Sequence, residues 1–85
     1  MRGTGQVAIG TDVVYAYFTM VGWAARVRLS ADECDRLDLF PGRQVRVGLG
    51  DREPAGALVT GVLPAPPFVW VEMEFAAAVP ASQAG

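Results

Sequence analysis

Cys34 is the single thiol of the chain, four residues beyond Ser30, a residue type that starts helices. A thiol near a helix start can ionise and act as a nucleophile. Here Asp32, Glu33, Asp35 and Asp38 surround it, and negative neighbours keep a thiol protonated. Its spacing to Leu37 puts it on a buried stripe, so it reads as core filler. Glu72 and Glu74 lie on one face of an extended segment, about 7 Å apart. Such a pair can do acid/base work or hold a hard cation. The preferred reading is plainer: alternating acids on a last strand discourage edge-to-edge pairing. Arg26, Arg28 and Arg46, with Arg43, form an anion site only if their strands are neighbours. Cross-strand pairing with Glu72, Glu74 or the helix acids is the competing expectation. No histidine is present, which removes the usual general base and every histidine-dependent triad. The acids near Cys34 lack calcium-loop spacing and its central glycine. The chain is therefore expected not to be an enzyme and to use no metal or cofactor.

Four aromatic residues remain, and they are the best functional lead. Tyr15, Tyr17, Phe68 and Trp70 all fall on the parity opposite the expected core. Aromatics anchor interfaces and wall apolar ligand pockets. The alternative is that both sheet faces are covered internally, and the sequence leaves that choice open.

The elements that must position these residues are mostly strands. Gln6 to Gly10 reads as a short first strand. From there Val14, Ala16, Phe18 and Met20 share one face, opposite Tyr15, Tyr17 and Thr19. Gly22 permits a turn, after which Trp23, Ala25, Val27 and Leu29 are expected inside and Arg26 and Arg28 outside. Ser30 and Glu33 have capping-box spacing, and Asp32 precedes Arg36 at i,i+4. A short helix near 31–39 follows, ended by Pro41, with Pro41-Gly42 central in a type II turn. Val45, Val47 and Leu49 then point one way. Ala57 to Leu63 makes another strand with a bulge near Gly61. Pro64-Ala-Pro-Pro67 reads as a stiff connector. Last, Val69, Val71, Met73 and Phe75 face inward, opposite Phe68, Trp70, Glu72 and Glu74. The expectation is a mainly β chain: one small antiparallel barrel of about six strands with one helix, spanning 1–76, and a flexible tail over 77–85.

Bulk properties agree with one domain, since 85 residues cannot furnish two cores. At 52% hydrophobic and 19% charged, the chain has apolar side chains to spare for its surface, which favours self-association. The net charge of −2 and the lack of any lysine argue against nucleic acid. Lysine and asparagine are both missing while alanine, glycine, arginine and valine dominate, the usage that a GC-rich genome imposes. A lone cysteine forms no internal disulfide, which fits a reducing, cytoplasmic setting. No signal peptide is visible. The most apolar stretch, Val13 to Ala25, is about thirteen residues, short of the roughly twenty a membrane helix needs.

Two family likenesses are carried by the centre of the chain. Leu37-Asp-Leu-Phe-Pro-Gly-Arg-Gln-Val-Arg-Val47 resembles the L-x-L-x-x-G-x-x-V-x-V helix-to-strand signature of AbrB-like and double-psi β-barrels. That likeness implies a DNA-binding dimer using Arg26, Arg28 and Arg46. Phe40 to Leu49, the strand around Val59-Thr-Gly-Val62 and the closing Val71-Glu-Met-Glu-Phe75 are similar to the second half of a PilZ-type barrel. The cyclic-dinucleotide motif of that family is absent, so the likeness implies only its protein-binding branch. Together these readings favour a non-enzymatic barrel acting through protein–protein contacts, as a homo-oligomer, at Tyr15, Tyr17, Phe68 and Trp70. The alternatives are a carrier of a small or anionic ligand and an AbrB-like DNA-binding regulator.

Overall fold

A computed structural model describes residues 1–76; the expected tail over 77–85 lies outside the described residues. Six strands and one helix follow in order: β1 (Arg2–Ile9), β2 (Asp12–Val21), β3 (Ala24–Ser30), α1 (Ala31–Arg36), β4 (Gln44–Leu49), β5 (Ala55–Ala65) and β6 (Phe68–Phe75). All pairings are antiparallel and close a barrel in the order β1-β2-β3-β6-β5-β4. Two-residue turns join β1 to β2 and β2 to β3. Each begins with a glycine of positive φ, Gly10 at 63° and Gly22 at 59°, a conformation that costs other residues strain.

The period-2 pattern explains the core. Val7, Val27, Val47, Val59 and Val71, one from each of five strands, are fully buried, and Phe18 represents β2 among the buried side chains. The helix closes one end of the barrel with Cys34, and Leu37 and Leu39 just beyond it are buried too. Its start forms as the residue types demand. The Glu33 N–H donates to Ser30 Oγ and the Ser30 N–H donates to Glu33 Oε1, both at 3.1 Å. At the other end Arg43 donates to the carbonyls of Leu37 (2.8 Å) and Asp38 (2.7 Å), which α1 leaves without partners. A six-residue helix has no stability of its own, so these caps and the buried stripe hold it. Asp32 and Arg36 form no ion pair. Pro41 and Gly42 sit in a turn closed by the Arg43 N–H on Phe40 O at 3.1 Å.

Three details differ from the expectations of the sequence, and one matches them. β1 starts at Arg2, because Gly3, Thr4 and Gly5 pair with Phe18, Tyr17 and Ala16 despite poor strand propensity. β5 runs through Pro64 to Ala65, and only Pro66-Pro67 make the turn into β6. The register of β5 on β6 slips between Val59 and Gly61, the bulge expected there. Trp23 is not inside: it occupies the β2–β3 turn and is exposed. A residue in a two-residue turn has no strand parity, so counting back from Ala25 misplaces it.

Candidate contact surface

The outer wall of β2, β3, β6 and β5 is built in rows, because residues directly opposite in register share a face. One row reads Tyr17, Arg28, Trp70, Leu63 across the four strands. Phe68 stands one row along, opposite Ser30 on β3 and Ala65 on β5, and Tyr15 is two residues from Tyr17 on β2. All four candidate aromatics therefore point outward. Tyr15 is 71% exposed and Phe68 40%, while Tyr17 and Trp70 are half-buried against each other. Their rings meet edge to face, with centroids 6.0 Å apart and planes at 79°. The Arg28 guanidinium carbon lies 4.6 Å from the Phe68 centroid and 5.3 Å from that of Tyr17. The result is an aromatic band with a cation set between two of its rings.

The next row along is polar: Thr19, Arg26, Glu72, Gly61. Arg26 and Glu72 form an ion pair at 2.7 Å. Glu72 Oε1 would stand 3.1 Å from a Cβ at position 61, so a residue without a side chain makes room for that carboxylate. β6 is paired on both sides, so Glu72 and Glu74 do not guard a sheet edge as the sequence suggested; Glu72 neutralises Arg26 instead.

The arginines do not gather. Arg26 and Arg28 share the outer face of β3, but Arg46 is on β4, three strands away in either direction around the barrel. It donates to Pro54 O at 3.1 Å and pins the β4–β5 loop. Arg43 serves the helix end. Clefts of about 290, 140 and 440 Å³ open elsewhere on the molecule, and none of these three is lined by Tyr15, Tyr17, Phe68 or Trp70.

Cys34 is buried, and its Sγ–H points at Leu39 O at 3.7 Å. Burial first, and the neighbouring Asp35 carboxylate second, push its thiol pKa up. A raised folded-state pKa gives stability that is complete below the unfolded thiol value, about 8.5, and is lost as pH rises through the folded one. Unfolding midpoints measured across alkaline pH should therefore fall in the wild type and fall less in Cys34→Ala. Parallel curves for the two proteins would assign the alkaline loss to other groups.

Leu63, which outward parity alone does not single out, belongs to this surface beside Trp70. Pairing back from the Pro66-Pro67 turn matches Ala65 with Phe68 and Leu63 with Trp70, and that count was the available signal. Compared with known proteins, the chain matches no family model, no curated protein and no solved structure.

Proposed function

We propose that this chain is a non-enzymatic binding module that works through protein–protein contacts, self-association among them, at Tyr15, Tyr17, Phe68 and Trp70. The observation that carries the reading is the convergence of Tyr17, Phe68 and Trp70, from two non-consecutive strands, into one outward band around Arg28, with Tyr15 exposed two residues from Tyr17 on β2. Rings on a rigid sheet lose little conformational freedom on binding, and a partner gains a large apolar area by covering them. An arginine among aromatics is the composition that interface centres favour. The competing readings have less support: Arg26 and Arg28 face away from Arg46, which gives duplex DNA no continuous basic strip, and the aromatics wall none of the three clefts. A cytoplasmic setting, in keeping with the free thiol of Cys34, belongs to the same proposal. No helix among the described residues is long and apolar enough to cross a membrane.

Sedimentation velocity over a concentration series tests this. The wild type should self-associate, and Trp70→Ser should weaken association by about 2 kcal/mol, roughly 30-fold in Kd, while keeping the far-UV spectrum of the folded barrel. A wild type that stays monomeric at the highest concentration removes self-association from the proposal.

A further inference from the structure

We propose that the partner at this surface is a second copy of the chain, docked about a two-fold axis so that Arg28 of each protomer meets Asp32 and Asp35 on the helix of the other. This rests on the contact-surface reading above and adds to it an orientation and a charge pairing.

Among the described residues the ion pairs are Arg26–Glu72 and Arg43–Asp38, and Arg28 takes part in neither. The rings of Phe68 and Tyr17 hold its guanidinium in place, and no hydrogen bond to the described residues uses its donors. A partner that covers Tyr17, Phe68 and Trp70 must cover Arg28 as well. Burying a cation without a counter-charge or acceptors costs several kcal/mol, and a carboxylate, which pairs with a guanidinium in a charge-assisted, bidentate way, meets that need most strongly. The cation is already positioned, which lowers the entropy lost when a carboxylate arrives.

The chain itself carries suitable acids close by. Glu33 is used in the helix cap and Asp38 faces Arg43, whereas Asp32 and Asp35 are exposed on α1 and form no ion pair among the described residues. A two-fold interface is self-complementary only if a patch and its complement lie side by side around the axis. That condition holds here. Asp32 follows Arg28 by four residues, which limits their Cα separation to about 14 Å. Phe68 stands opposite Ser30, the residue that caps α1, so the band and the helix share one end of the barrel. An axis between them brings each Arg28 onto the other protomer's helix and forms the pairing twice.

A charge swap in the full chain, read by sedimentation velocity, tests the pairing. Arg28→Glu and Asp35→Arg should each weaken dimerisation by about tenfold or more, and the two together should recover to within about threefold of the wild type. Association should also weaken in about 1 M salt, where the Debye length is about 3 Å. Arg28→Gln, a milder change, should weaken the dimer in the same direction. Far-UV circular dichroism spectra matching the wild type establish that every variant is folded, while melting midpoints fall in step with the loss of dimer. Charge variants that dimerise like the wild type, a double variant weaker than both singles, or a species larger than a dimer overturn the proposal. Loss of association in Trp70→Ser alone, with the charge variants unaffected, also overturns it while leaving the contact surface standing. A wild type monomeric at every concentration sinks both.

Discussion

Leu29→Ala should lower the stability of this protein by about 3–4 kcal/mol, within the range for truncating a buried leucine. Leu29 is 1% exposed and is the last inward residue of β3 before Ser30 caps the helix. It lies opposite Val69 of β6, where the strands meet the helix that closes the barrel. Few side chains are free to collapse into the space it would leave, since neighbours on both strands are fixed by the ladder. A chain of 85 residues is expected to have only about 4–13 kcal/mol of stability in all. The loss should therefore appear as a drop in melting temperature of roughly 15–25 °C. Arg26→Ala is the proper control, because Arg26 is on the opposite face of the same strand. Its ion pair with Glu72 is short, but the Arg26 side chain is 54% exposed, so removal should cost less than about 1 kcal/mol. Comparable losses for the two variants would mean that the inward and outward faces of β3 are assigned wrongly.

Gly48→Val should destabilise by about 3 kcal/mol, and its cause is different: a side chain added where the structure has no space. Gly48 has outward parity on β4, yet it is buried, because the β4–β5 loop folds back over it. A Cβ at this position would stand 3.2 Å from both Arg52 O and Pro54 Cγ. Arg46 holds that loop in place through Pro54 O. Gly48 also lies opposite Ala8 in the seam between β1 and β4, where the register matches only Val7, Ala8 and Ile9 with Leu49, Gly48 and Val47. Valine must either lift the loop or part the seam. Urea unfolding should show the lowered midpoint, and amide exchange should quicken first at Ala8 and Gly10. A midpoint equal to the wild type would show that the loop does not press on this strand.

Residue parity alone carried most of the architecture, because a sheet with one face buried writes its alternation into the sequence. The inward sets on β2, β3, β4 and β6 and the Ser30–Glu33 cap were legible for that reason. β1 was half hidden, since Gly3, Thr4 and Gly5 carry almost no hydrophobic signal and are strand only because β2 provides partners. Trp23 was misread because apolar character stands for burial only inside a regular element. The candidate surface was legible in part. Parity put Tyr15, Tyr17, Phe68 and Trp70 outside, but their meeting depends on the pairing of β3 with β6, which no local pattern reveals. The same limit applies to the arginines. β3 and β4 are consecutive in the chain, but α1 carries the backbone across the barrel end and separates Arg46 from Arg26 and Arg28.

The position of β6 has a kinetic consequence. It is wedged between β3 and β5, which both precede it in the chain, so a nascent polypeptide that has not yet made β6 exposes the backbone groups of both neighbours at once. Two of the six seams, β1–β4 and β3–β6, join strands that are not consecutive in sequence, and such non-local closures form late because loop entropy is lost before their contacts are made. The growing polypeptide thus passes through a stage at which it is sticky, before β6 seals the barrel.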